Sequence, residues 1–172
     1  MVKISSGMGD KGYTVIAGVT MRKDDSRIYA YGSIDELSSI LGYINSISKN
    51  KKLNKKLETI QKHLYLAGID LQKPEKSNLT KKQIKWIENE EEKLEKTLPK
   101  LKRFILPGGI ETASLLHIAR SVCRRCESNI VSITEKYKIN ENLIVYINRL
   151  SDFLFLLARN ENFENKIEDK GV

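Results

Sequence analysis

The stretch Ser33-Ile34-Asp35-Glu36-Leu37-Ser38-Ser39-Ile40-Leu41-Gly42-Tyr43-Ile44-Asn45-Ser46-Ile47 decides the fold class. Its apolar residues Ile34, Leu37, Ile40, Leu41, Ile44 and Ile47 recur at helical intervals and trace one face. Ser33 with Glu36 reads as a Ser-x-x-Glu capping box, so the spacing predicts that this helix opens at Ser33.

The same period continues downstream. Leu53, Leu57, Ile60, Leu64, Ala67 and Leu71 trace a second helix, stopped before Pro74. Thr80 with Gln83 opens a third, polar helix carrying Ile84, Ile87, Leu94 and Leu98 and ending at Pro99. After the apolar loop Phe104-Ile105-Leu106-Pro107-Gly108-Gly109, a fourth helix is expected over Thr112 to Tyr137, roughly 39 Å long at 1.5 Å per residue. A fifth is expected over Asn142 to Asn160, with a frayed polar tail behind it.

Upstream of Ser33 the pattern changes. Residues 1–32 hold Gly7, Gly9, Gly12, Gly18 and Gly32, half of the ten glycines. Short β-prone pieces occur there, Tyr13 to Ile16 and Arg27 to Tyr31, but no helical period, so the segment reads as an extended, glycine-rich arm. The expected fold is therefore all-α. It is one domain over 1–172, with the arm at 1–32, a five-helix up-and-down bundle at 33–160 and a polar tail at 161–172.

Composition agrees with one soluble domain. A chain of 172 residues buries roughly 70% of its unfolded surface and needs no disulfide or structural metal. Lys+Arg of 30 against Asp+Glu of 22 gives a net charge of +8. That surplus suits nucleic acid, an acidic surface or a polyphosphate ligand without choosing among them. Two cysteines exclude a disulfide framework. No run reaches the ~18–20 apolar residues that span a bilayer, and the N-terminus lacks the apolar core of a secretory signal. A cytoplasmic setting with no membrane contact is expected.

Several motifs have plain structural readings beside functional ones. Gly7-Met8-Gly9-Asp10-Lys11-Gly12 matches G-x-G-x-x-G, but β-prone residues follow it and no parallel sheet is expected, so it is no dinucleotide fingerprint. A phosphate cradle and a surface turn both remain open for it. Cys123 and Cys126 stand mid-helix with only His63 and His117 elsewhere, too few ligands for zinc. Neither histidine has a glutamate three residues before it, so no di-iron pair forms. No metal ligand is assigned. Lys49, Lys51, Lys52, Lys55 and Lys56 read as solvated surface, since no aromatic residue is interleaved for nucleic acid. Arg120, Arg124 and Glu127 share one helical face, and Arg125 stands beside them. Such a face suits phosphate recognition or an interhelical salt-bridge network equally. Asn148 and Asp152 share a face of the last helix.

Taken together, these residues resemble the PduO-type ATP:cob(I)alamin adenosyltransferase family. The matching segments are Gly9-Asp10-Lys11-Gly12-Tyr13-Thr14, then Lys23-Asp24-Asp25 with Gly32-Ser33-Ile34-Asp35-Glu36-Leu37. They continue with Phe104 to Gly109, Arg120 to Glu127, and Asn148-Arg149-Leu150-Ser151-Asp152-Phe153-Leu154-Phe155, all in family order. One departure concerns the arm. The family usually has Thr at the places of Ser5 and Met8; Ser5 keeps a hydroxyl, whereas Met8 offers only its backbone.

The resemblance implies transfer of the 5′-deoxyadenosyl group of ATP to cob(I)alamin, leaving inorganic triphosphate. Mg²⁺ would accompany ATP. It also implies a homotrimer with ATP held between subunits. Ser6, Gly7, Met8 and Gly9 would cradle phosphates, with Thr14 and Val15 nearby and Lys11 and Lys23 adding charge. Arg124, Arg125, Glu127, Ser128 and Asn148 would bind ATP across the interface. Asp35 would pair with Arg120 of a neighbouring subunit on the corrinoid side. Phe104 would displace cobalamin's lower ligand. Asp35, Phe104, Arg120 and Arg124 are thus the expected catalytic set. A reductase and an adenosylcobalamin-dependent enzyme are the expected protein partners. The competing readings are a basic helical nucleic-acid binder, whose affinity would fall steeply with salt, and an ATP or corrinoid carrier without turnover.

Overall fold

In the computed structural model, which describes residues 7, 9–16 and 18–172, a small hairpin leads into five helices. The hairpin pairs β1 (Tyr13–Ile16) antiparallel with β2 (Val19–Arg22), setting Tyr13 opposite Arg22 and Ile16 opposite Val19. The helices are α1 (Ser26–Ile47), α2 (Lys51–Gln72), α3 (Lys81–Thr97), α4 (Glu111–Val131) and α5 (Glu141–Glu164). They pack in the order α2–α1–α4–α5–α3. His63 meets Trp86 edge-on at 5.2 Å between ring centres, and Lys56 pairs with Glu90, so α2 also touches α3. The expected helical bundle is what forms. Ile34, Leu37, Leu41 and Ile44 of the deciding stretch are buried, each contributing about 1.5–3 kcal/mol.

The arm is shorter than expected and partly folded. α1 opens at Ser26 rather than Ser33, because Asp25 caps it by accepting from Arg27 N at 2.9 Å. Arg27 grips the same carboxylate through Nε and Nη2 and lies 4.3 Å over the Tyr137 ring. Ser33 is therefore internal to the helix, where its Oγ donates to Ala30 O at 2.8 Å. The β-prone run 27–31 is helical, since Ala30 is fully buried and Tyr31 lies against Gly68.

The Thr80–Gln83 capping box forms as the spacing predicts. α4 stops at Val131, six residues before the expected end. Beyond it the chain unwinds into turns, Ile133 N bonding to Ile130 O and Thr134 N to Val131 O. α5 runs four residues past Asn160, and the tail is not frayed. Arg159, almost fully buried, pairs with Asp169 at 2.7 Å. Leu106 N donates to Lys170 O at 2.8 Å and Val172 N to Phe104 O at 2.9 Å. The last residues thus pair with the 104–106 loop. Lys56 departs from its cluster too, being half-buried against Glu90 and Phe153 rather than solvated.

Asp70 ties three elements together. Its fully buried carboxylate accepts from Asn78 N and Asn78 Nδ2 at 2.7 Å, Leu79 N at 2.8 Å and Asn140 Nδ2 at 2.6 Å. The end of α2, the approach to α3 and the N-cap of α5 are joined there.

Candidate active site

Three groups of residues carry the expected chemistry. The first is the hairpin and the turn before it. Asp10 N donates to Gly7 O and Gly12 N to Gly9 O, both at 3.2 Å, and Lys23 N donates to Gly12 O at 2.9 Å. These bonds fold the turn back on the end of β2. A Cβ at Gly9 would stand 2.9 Å from Lys23 Nζ, so the ammonium lies close over this glycine. Lys11 is exposed, Thr14 half-buried and Val15 exposed on β1. Ser5, Ser6 and Met8 lie outside the described residues.

The second group lies on α4 and its neighbours. Arg125 Nη2 reaches both oxygens of Glu36 on α1 at 2.6 Å. Glu127 Oε1 accepts from Asn148 Nδ2 on α5 at 3.0 Å. Arg124 is exposed, and its guanidinium has no hydrogen-bond or ion-pair partner among the described residues; its carbonyl accepts from Ser128 Oγ at 3.1 Å. These donors and carboxylate acceptors form a polar ledge at the open surface of the bundle. Asp35 faces elsewhere, into a groove between α1 and α2 beside Ser38, Gln61 and Tyr65.

The third group surrounds Phe104, which is 89% exposed on its loop. A cavity of about 560 Å³ joins Phe104 to Ile105, Pro107, His117, Arg120 and Phe155. Arg120 Nε is buried there without a hydrogen-bond partner among the described residues, and so are both ring nitrogens of His117. Burial and the neighbouring Arg120 hold the His117 imidazole below its usual pKa, so it is neutral at pH 7. Buried donors without partners are costly, and a polar ligand would satisfy them.

Gly109 shapes the same loop. Its φ of +115° and the Asn162 amide pressed against it exclude any side chain. Asn162 Oδ1 accepts from Ile110 N at 3.1 Å and its Nδ2 donates to Gly108 O at 2.9 Å, anchoring the Pro-Gly-Gly turn to α5.

One chain therefore brings together Gly9 with Lys23, Arg125 with Glu36, Glu127 with Asn148, and Arg120 with Phe104. It does not bring Asp35 to Arg120, which line different cavities. The sequence pattern marks neither His117 nor Phe155 as a site residue, and it reads Glu36 only as a helix cap. His117 carries a signal in hindsight, for it stands three residues before Arg120 on one helical face. The cysteines are core. Cys123 donates to Ile147 O, and burial pushes the Cys126 thiol up to about 11.

A family model described as cobalamin adenosyltransferase matches residues 4–161. The chain belongs to the cobalamin adenosyltransferase family. A corrinoid adenosyltransferase of Bacillus subtilis (strain 168) is 37% identical over 175 residues, covering 98% of this chain and 91% of that protein. The corrinoid adenosyltransferase MMAB of Homo sapiens is 35% identical, covering 91% of this chain and 68% of that one. A variant PduO-type ATP:corrinoid adenosyltransferase from Lactobacillus reuteri, solved in complex with cobalamin and ATP, superposes with a TM-score of 0.92. It shares 36% identity and 99% of each chain is covered. Family membership thus rests on sequence and fold over nearly the whole chain. No described helix is long and apolar enough to cross a membrane.

Proposed function

We propose that this chain transfers the 5′-deoxyadenosyl group of ATP to the cobalt of cob(I)alamin, yielding adenosylcobalamin and inorganic triphosphate. The observation that carries the reading is the cavity shared by exposed Phe104 and Arg120, whose buried Nε has no partner among the described residues, in a chain that matches the family from residue 4 to residue 161. The cobalt(I) lone pair forms the new bond to C5′ as the C5′–O bond breaks, and that electron pair leaves with the triphosphate. The substrate supplies the nucleophile, so the protein's tasks are orientation and charge neutralisation.

The residues divide accordingly. Ser6, Gly7, Met8 and Gly9 hold phosphates with their backbone N–H groups, and Thr14 and Val15 border them. Lys11 and Lys23 neutralise charge; the closeness of Lys23 to Gly9 supports its part. Arg124, Arg125, Glu127, Ser128 and Asn148 bind ATP from a neighbouring subunit of a homotrimer. Asp35 meets Arg120 of a neighbouring subunit, which suits their separation within one chain. Phe104 takes the place of the lower ligand beneath cobalt. Mg²⁺ arrives on the triphosphate and takes its ligands chiefly from phosphate and water. A reductase supplies the corrinoid and an adenosylcobalamin-dependent enzyme receives the product. Buried, protonated thiols suit a reducing compartment such as the cytoplasm.

Mixing the protein with ATP, Mg²⁺ and chemically reduced cobalamin tests the reading. A corrinoid spectral change with stoichiometric triphosphate supports it; ATP binding without triphosphate release leaves only a carrier.

A further inference from the structure

The loop carrying Phe104 separates two cavities, and only one has a role so far. The second, about 700 Å³, lies between residues 98–105 and the end of α5 with its tail. Leu101, Arg103 and Ile105 line both cavities. The second has apolar walls from Leu98, Ile105, Phe163 and Ile167, and its volume falls within the roughly 300–1,000 Å³ of small-molecule sites.

Its polar groups are mostly cationic. Arg159 is neutralised by Asp169 and also donates to Pro99 O at 2.8 Å. Lys100, Lys102, Arg103 and Lys166 have no ion-pair or side-chain hydrogen-bond partner among the described residues, and Glu168 is the one unpaired carboxylate among the lining groups. Apolar walls beside unpaired cations suit an aromatic ring joined to a phosphate. Cobalamin carries both on one appendage, a benzimidazole base linked through ribose to a phosphodiester. Once Phe104 occupies the place beneath cobalt, that appendage must lie elsewhere.

The geometry points to this second cavity as the subsite for the displaced nucleotide tail of the corrinoid. The inference rests on the proposed reaction and on Phe104 as the displacing residue. The loop then stands between corrin ring and tail, Phe104 facing one and the lysines the other.

Cobinamide, a corrinoid without base, ribose or phosphate, provides the test. Lys102→Ala/Lys166→Ala removes one cation from the loop and one from the tail, leaving Phe104 and the phosphate arm intact. At low salt, half-saturation by cobalamin should rise about three- to tenfold, as expected for two exposed charge-assisted contacts. The values for cobinamide and for ATP should be unchanged. Equal shifts with both corrinoids, no shift with cobalamin, or a shift in the ATP value alone would overturn the assignment. A wild-type chain that adenosylates neither corrinoid would overturn the underlying function as well.

Discussion

Arg125 holds its Nη2 2.6 Å from both carboxylate oxygens of Glu36, bridging α4 to α1. About half of each side chain is open to water, 54% and 49%, so the pair is worth at most about 1 kcal/mol. A triphosphate carries more charge and can draw Arg125 away. Glu36→Gln should therefore tighten ATP binding, by up to about fivefold on that energy. Titration calorimetry reads this directly; weaker binding would mean that Glu36 orients Arg125 for phosphate.

Arg124→Ala should leave thermal stability unchanged, since its guanidinium is exposed and has no partner among the described residues. Its KM for ATP should rise roughly ten- to hundredfold, matching the ~1.5–3 kcal/mol of a charge-assisted contact. Near-normal ATP kinetics would remove Arg124 from the site.

Phe104→Ala should likewise fold as well as the parent, because an 89% exposed ring contributes little to the core. The reaction starting from Co(II) cobalamin should slow far more than ATP affinity falls. Parallel losses in the two assays would exclude a specific role beneath cobalt.

Burial, with Asp152 nearby, pushes the Glu91 carboxyl up to about 7. Its folded pKa exceeds the unfolded value, so the native state holds the extra proton between about 4.5 and 7. Its stabilising effect is full below that window and is lost as pH rises through it. Glu91→Gln should flatten this slope and stabilise the chain at pH 8 by on the order of 1 kcal/mol, after discounting for its partial exposure. Urea unfolding at pH 5 and pH 8 measures the difference.

Asp70→Asn keeps the shape of the buried hub but replaces an acceptor with a donor facing other donors. Unfolding free energy should fall by about 2–4 kcal/mol. Denaturant melts give the value, and a loss below ~1 kcal/mol would show that the three joined elements hold without it.

The helices were legible because their apolar stripes are local and periodic, and the Thr80–Gln83 box because it spans only three residues. The start of α1 was not. Ser33 and Glu36 mimic a box, whereas the true cap depends on Asp25 and on Arg27 reaching Tyr137 far along the chain. The tail misled for the same reason. Its composition is polar, yet Arg159, Asp169 and the main chain of Lys170 and Val172 find partners across the fold. Arginines 120, 124 and 125 stood out as a motif, but pattern alone could not separate them. The structure gives Arg120 a place in the Phe104 cavity, Arg124 open solvent and Arg125 a glutamate partner. His117 reads from sequence only as a rejected metal ligand, because its three-residue spacing from Arg120 does not reveal the cavity the two share.

The pairing of Val172 with Phe104 has a practical side. Whatever is joined after Val172, a purification handle included, leaves the protein within one hydrogen bond of the loop that carries Phe104. A bulky fusion there would impair corrinoid kinetics while sparing the melting temperature, and so imitate an active-site lesion. Rates measured with and without the handle removed would separate the two.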